Sequence, residues 1–387
     1  MYRKFSEDDI FFAEAFVRVV DMSAKGTQGT LVPFRISAMP MQQHFVDTII
    51  RPGRTHAIEL KARRVGGTTL FQVLGLVRAI RRGNFHVGLI AQNEPEALRF
   101  GRMWKQLFTD MIPQTRMPDG SVYRTQPEVG TFTDHTIEFP KTGSFLTVGT
   151  AGSTKLWLGQ SFNMLIGTEV SRWDLGRPPG AAENTWAGVQ GALVPGGFAV
   201  LESTAFGSQG FFWETFQQAT AGSNGWTPVF YDWRWHPLYR LLPDDPDVLD
   251  ADRGQLVLTD EENLLGLLPD QARWRRAKIA TMPGGAIEDK MRLFRQEYPE
   301  DPVTCFSTSG SPFFDSTRID VCFRESRPIL ASEESGRLIL WQSPRVGESY
   351  VIGVDPGGEA PMSSSSRLDY CSATVIDGRG NHVASLH

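Results

Sequence analysis

Short apolar, β-branched runs alternate along this chain with longer segments whose apolar positions recur at i, i+3 and i+4. The first pattern fits strands buried on both faces and the second fits amphipathic helices, so their alternation predicts a parallel sheet flanked by helices. Ala57, Ile58 and Leu60 open one such strand, Gly66 and Gly67 end it in a turn, and Thr68 and Thr69 begin the helical run LFQVLGLVRAI. FHVGLIAQ (85–92) is the next strand, and EPEALRFGRMWKQLF after it is a helix. VYRTQ, TIEFP and SFLTVGTA give short strands in a turn-rich stretch. Asn163–Gly167 and FAVLEST (198–204) are two further buried strands, the second followed by Gly207, Gly210 and an aromatic helix.

This pattern divides the chain into four parts. Residues 1–50 read as a helical lead-in and 51–240 as the α/β core. The aromatic stretch VFYDWRWHPLYR and the acidic loop after it mark a subdomain edge. Residues 241–335 then read as a small helical lid or linker, with a T-x-x-E capping box at Thr259. Strand patterning resumes at 336 and runs to 387.

Composition narrows the class. At 387 residues the chain exceeds one typical domain, and 41% apolar residues support an ordinary packed core. The net charge of −5 means that any nucleic-acid contact uses a local patch on an acidic molecule. The scattered Cys305, Cys322 and Cys371 argue for a reducing cytosol and against a disulfide scaffold or structural zinc. No apolar run is long enough to span a membrane.

The turn at Gly66 carries the sharpest candidate chemistry. A strand, a glycine turn and a helix N-terminus gather backbone N–H groups around an anion, and the helix dipole favours negative charge there. KARRVGGTT follows the phosphate-loop pattern G-x-x-x-x-G-K-[ST] only in part: aligned on Gly66, Lys61 stands at the first glycine and Gly67 at the lysine. Thr68 stands where a hydroxyl would hold Mg²⁺. ATP would therefore lie along Lys61, Arg64, Val65, Gly66, Gly67, Thr68 and Thr69, with Lys61 replacing the missing lysine. Arg63 or Arg64 could approach the γ-phosphate as a cis arginine finger. A solvated basic turn in any α/β domain is the plainer reading of the same residues. Gln42, or equally Gln43, could read an adenine edge or be a surface glutamine.

Glu169 closes the strand at Asn163–Gly167, at the sheet edge where open α/β sheets bind ligands. It could polarise a water attacking the γ-phosphate or cap the next helix. The residue before it is Thr168, where an aspartate would hold the metal. Ser203 and Thr204 end the next strand and could sense the γ-phosphate. Arg78, Arg81 and Arg82 suit a helix C-terminus. Arg273, Arg275, Arg276 and Lys278 make the most basic helix, which could touch DNA phosphates or serve as a lid surface. Asp355 at a strand end and Asp369 entering the next open an RNase H-like meander, a fold that gathers acids around divalent ions.

In order and spacing these landmarks resemble the large terminase subunit of tailed bacteriophages, from about Pro33 to the C-terminus. KARRVGGTT is similar to that family's variant Walker A, LIGTEVSRW to its Walker B, LESTAFGSQGFF to its coupling motif, and YVIGVDPGG with LDYCSA to the start of its nuclease domain. The resemblance implies a P-loop (RecA/ASCE-like) ATPase with a helical lid, followed by the truncated start of an RNase H-like nuclease. It implies Glu169 as general base, Arg63 as arginine finger, Thr68 as Mg²⁺ ligand, Ser203 and Thr204 as coupling residues, and Gln42 as the adenine-sensing glutamine. Asp355 and Asp369 would be nuclease acids using Mg²⁺ or Mn²⁺, in a domain expected to be inactive because it stops early. The implied partners are double-stranded DNA, a portal protein, a small terminase subunit and further copies in a pentameric ring, in the host cytoplasm.

Two rivals stand beside this motor reading: a helicase-like or repair ATPase, and a nucleotide-binding assembly platform without turnover. The motor reading expects Lys61→Ala to abolish ATP binding and Gly67→Lys to be tolerated.

Overall fold

A computed structural model describes residues 8–21, 29–117, 119–153, 157, 159–178, 180–306, 329–333, 338–355 and 372–386. The chain divides into two compact units, 1–309 and 310–387.

The first unit opens with α1 (Asp9–Phe16) and a hairpin of β1 (Arg18–Asp21) and β2 (Thr30–Pro33), then α2 (Pro40–Phe45). The hairpin departs from the expected lead-in of helices and a loop; its strands are short and half-exposed, so they carry little apolar pattern. Then follow β3 (His56–Lys61), α3 (Gly67–Arg81), β4 (His86–Ala91), α4 (Glu94–Asp110), β5 (Gln114–Arg116), β6 (Val122–Arg124), β7 (Thr136–Phe139), β8 (Ser144–Thr150) and β9 (Phe162–Thr168). The unit continues through α5 (Ala181–Gln190), β10 (Leu193–Ser203), α6 (Phe211–Thr220), β11 (Thr227–Tyr231), α7 (Asp260–Leu264), α8 (Pro269–Ala280) and α9 (Ile287–Glu297).

A seven-stranded sheet runs β11-β3-β10-β9-β4-β8-β7, parallel throughout except for β7, which pairs antiparallel with β8. Its two faces bury two separate apolar clusters. Ala57, Val200 and Ile166 face α3 and α4 through Leu70, Leu74 and Trp104. Ile58, Leu60, Leu201 and Leu165 face α5 and α6 through Trp186, Phe212 and Phe216. Period-two alternation thus sends Glu59 and Lys61 to the α3 face of β3, because Ala57 is there and Ile58 and Leu60 are opposite.

Parallel strands put all their C-terminal ends on one edge. β10 lies between β3 and β9, so the loops after these three strands are neighbours. The register carries the alignment inward: Glu202 of β10 stands opposite Glu59 on one side and Thr168 on the other.

The expected capping box forms at α7, with the Thr259 hydroxyl accepting from Glu262 N and the Glu262 carboxylate accepting from Thr259 N. The basic helix α8 is internal to this unit. Arg275 bonds Glu300 at 2.7 Å and Glu261 at 2.9 Å, and Arg276 bonds Glu262 at 2.5 Å and Asp252 at 2.7 Å. Arg273 donates to the carbonyls of Asp252 and Gly254, and Lys278 lies over the Tyr298 ring. Its arginines are thus taken up by acids and carbonyls inside the unit, a role the sequence reading did not anticipate. Arg78, Arg81 and Arg82 likewise converge on one carboxylate, Asp9 of α1.

The second unit is an antiparallel sheet of β12 (Ala331–Glu333), β13 (Leu338–Leu340), β14 (Tyr350–Asp355), β15 (Ser372–Asp377) and β16 (His382–Leu386), in the order β12-β13-β16-β15-β14. β14, β15 and β16 form a meander, with the last turn held by Asp377 accepting from Arg379 N and Asn381 N. Asp355 ends β14, but its side chain and all of Asp369 lie outside the described residues.

Candidate functional site

The site is built at the C-terminal edge of β3, β10 and β9. Gly66 adopts φ +102°, a left-handed conformation that glycine takes without a Cβ penalty, and it turns the chain from β3 into α3. No side chain caps α3, and its first helical bond is Leu70 N to Gly66 O at 3.1 Å. The N–H groups of its first turn are therefore available to an anion. Val65 is buried, whereas Arg64, with φ +61°, is exposed.

Gln42 and Gln43, equivalent by type, are separated by position. Gln42 is buried on α2, and its amide donates to Gly66 O at 2.9 Å, while Gln43 donates to Asp47 at the surface. Gln42 is thus the glutamine at the loop, and its amide nitrogen braces the backbone there.

Lys61 points from the end of β3 into the same corner. Its ammonium lies 3.0 Å from Glu202 and 3.9 Å from Glu169. Burial opposes its charge, but Glu202, then Glu169 and Glu59, outweigh burial and hold it protonated above the ordinary lysine value. Glu202 is fully buried. One of its oxygens accepts from Thr68 Oγ1 at 2.7 Å and from Thr168 Oγ1 at 2.5 Å. Glu202 therefore ties the candidate metal-binding threonine to the strand that carries Glu169.

Glu169 adopts φ +51°, an uncommon conformation for a residue with a Cβ and of the kind found at functional turns. Its carboxylate is within 3.9 Å of Lys61 and 3.7 Å of Arg172, and Oε2 has no hydrogen-bond partner among the described residues. The turn after it is anchored on the end of β10. Ser171 Oγ lies 2.7 Å from Ser203 Oγ and donates to Thr204 O at 2.9 Å, and Arg172 reaches Thr204 Oγ1 at 3.4 Å. Arg172 also bonds Glu297 at the end of α9 at 3.0 Å, and Glu297 holds the Arg63 guanidinium as well. Arg63, the expected arginine finger, is thus paired with α9.

Two acids were not singled out from the sequence. Glu202 supplies a carboxylate beside Thr68 and next to Thr168, the threonine that stands where the sequence reading expected a metal-holding aspartate. Glu59 is fully buried, and both its oxygens lack a hydrogen-bond partner among the described residues. A Cβ built on Gly67 would lie 2.6 and 2.7 Å from those oxygens. This opposes the expectation that Gly67→Lys is tolerated, because the lysine's first carbon meets the Glu59 carboxyl. An acid inside a run read as buried was the available signal for both residues, since acids are almost never fully buried unless paired.

Chemically the cluster offers hard oxygen donors (Thr68, Glu202), a fixed cation (Lys61) and an acid with a free oxygen (Glu169). Magnesium takes one or two carboxylates and keeps several waters, which suits this set. Among the described residues no group of three or more His, Cys, Asp or Glu could hold a metal ion, and no helix is long and apolar enough to cross a membrane.

No family model matches the sequence, and no curated protein matches it. Solved structures of phage large terminases do. The large terminase of bacteriophage HK97 is 15% identical, with 97% of this chain and 66% of that one covered and a TM-score of 0.49. A large terminase from a thermophilic bacteriophage, in complex with ADP, is 11% identical over 89% of this chain and 65% of that one, with a TM-score of 0.40. The large terminase ATPase domain of Thermus phage P74-26 is 14% identical over 64% of this chain and 88% of that one, with a TM-score of 0.36. The chain thus spans less than two thirds of the length of the first two.

Proposed function

We propose that this chain is the ATP-hydrolysing motor of a large terminase, which drives double-stranded viral DNA into procapsids. The observation that supports it most is the meeting of Thr68, Lys61, Glu202 and Glu169 beside an uncapped helix N-terminus. Three strands contribute, and the motif order in the sequence matches the same reading.

In this mechanism the phosphates lie on the backbone N–H groups of the turn from Gly66 to Thr69. Lys61 exchanges an acid partner for a phosphate oxygen. Thr68 and Glu202 would hold Mg²⁺, which when bound supplies positive charge to the phosphate oxygens. Glu169 accepts the proton of the attacking water. Arg63 can serve the γ-phosphate only by leaving Glu297. Loss of that phosphate is sensed at Glu169 and passed through Arg172 to Thr204 and to Glu297 on α9, so the lid region moves with the chemical state.

The finer family properties belong to the same proposal: nuclease acids Asp355 and Asp369 with Mg²⁺ or Mn²⁺, a portal and a small terminase subunit as partners, a pentameric ring, and the host cytoplasm as location. The domain division proposed from the sequence belongs here too.

Phosphate release in the presence of duplex DNA tests the reading. Glu169→Gln should lower the rate by roughly 10²–10⁴-fold while nucleotide still binds, the range for loss of a general base. Equal release by both proteins would remove Glu169 as the base, and no release by either would favour the platform without turnover.

A further inference from the structure

Glu59 is the one buried acid of the cluster that the mechanism above does not use. It sits two residues before Lys61 on the same face of β3, directly opposite Glu202 in the register of β10. Like charges opposite one another across strands repel. Neither Glu59 oxygen has a hydrogen-bond partner among the described residues. Charged and unpaired, such a carboxylate would be costly at this depth.

Its position explains the departure at Gly67. Gly67 opens α3 at the place where a phosphate loop carries its lysine, and the volume into which that side chain would begin is filled by the Glu59 carboxyl, 2.6–2.7 Å from a Cβ there. Cβ atoms essentially never make contacts that short, so a side chain at 67 must displace the carboxyl end of Glu59, which is fully buried where it lies.

We propose that Glu59 and Gly67 are a matched pair that moves the phosphate-neutralising cation from the helix to the strand. Glu59 fills the helix lysine's volume, opposes any side chain at 67 and leaves Lys61 as the cation of the site. Glu59 is a positioning residue: it acts through Lys61 and through the space at 67. This rests on reading the loop as a triphosphate site.

Glu59 stands in surroundings that disfavour its charge. Burial first, then the charge of Glu202, pushes its carboxyl well above the usual glutamate range, and Lys61 offsets this only in part.

A double-mutant cycle tests the pair in the full chain. Helix propensity alone makes Gly67→Ala stabilising, since Gly67 lacks a left-handed φ. The proposal reverses that sign: Gly67→Ala should lower the melting temperature in the wild-type background and raise it in a Glu59→Ala background. Binding of a fluorescent ATP analogue gives the second reading. Gly67→Lys should lose at least tenfold in affinity, and Glu59→Ala/Gly67→Lys should return to within about threefold of wild type, as expected when contacting residues couple. If Gly67→Ala stabilises both backgrounds, or if Gly67→Lys binds like wild type, the pair is refuted. If the wild type binds no nucleotide, the ATPase reading fails instead, and the melting temperatures still judge the pair.

Discussion

Replacing Lys61 by methionine keeps most of the side chain's volume and removes its charge. Lys61 is 7% exposed and Glu202 is 0% exposed, so the ion pair at 3.0 Å is screened little by water. At an effective dielectric of about 20, unit charges at that distance attract by about 5–6 kcal/mol, and desolvation of both groups offsets much of this. Removing one partner is a different quantity, because it leaves the other charge buried and uncompensated, at about 3–5 kcal/mol. Two features place the Lys61 loss near the lower end. Thr68 and Thr168 still donate to one Glu202 oxygen, and Glu169 is 30% exposed and regains water.

Urea unfolding at neutral pH measures this. Lys61→Met should lower stability by about 3 kcal/mol with the denaturant slope unchanged, a large part of the roughly 5–15 kcal/mol a typical domain has. Glu202→Gln in the Lys61→Met background should recover at least about 1 kcal/mol, because the uncompensated charge is then gone. The folded fraction of Lys61→Met should also lose binding of the ATP analogue. A loss below about 0.5 kcal/mol, or strictly additive single and double variants, would show that the pair is not what compensates Glu202. Unchanged nucleotide affinity would remove Lys61 as the replacement for the missing lysine.

Two further outcomes follow from other buried charges. Arg275→Met leaves buried Glu300 with only the longer contacts to Arg295 at 3.7 Å and Trp233 Nε1 at 3.4 Å and should lower stability by about 3 kcal/mol in urea unfolding, the lower end for a broken buried pair, whereas the salt dependence of any DNA binding should not change, since this arginine faces inward. Glu59→Gln should change how stability depends on pH. A carboxyl raised in the folded state holds its proton there after the unfolded chain has released it, so wild-type stability falls as pH rises above the ordinary glutamate value of 4.5. That decline, at most about 1.4 kcal/mol per pH unit for one proton, should be absent in Glu59→Gln when unfolding is followed across the range.

The strands and helices of the core were legible because burial on both faces leaves uniform apolar runs, and Asn163–Gly167 and FAVLEST lie within β9 and β10. The convergence of Thr68 and Glu169 was legible at the level of strand ends, since parallel strands share an edge. What sequence reading could not supply was the order of strands: that β10 lies between β3 and β9 makes Glu202 the link between them. TIEFP was legible as the strand β7 but its antiparallel pairing was not, and the hairpin of β1 and β2 escaped because short, half-exposed strands lack a hydrophobic rhythm. The basic helix α8 looked like a surface because its acid partners Asp252, Glu261, Glu262 and Glu300 are brought to it by tertiary folding. The left-handed turn at Glu169 has no sequence signature, since glutamate is not a residue that favours it.

On the proposed reading Lys61 has competing claims on it, and the register decides between them. Glu59, Glu202 and Thr168 stand at one level across three adjacent strands, and Lys61 is one step further toward the edge. Glu202 and Glu169 both draw on the one ammonium, and Arg172 stands 3.7 Å from Glu169 as a second cation. Glu202 is a buried carboxylate already held by two hydroxyls, whereas Glu169 is partly open to water and has Arg172 beside it. Lys61 can then turn from Glu169 toward a phosphate while keeping Glu202. On this reading the volume that Glu59 fills beside position 67 is what leaves the strand lysine to do the work of a helix lysine.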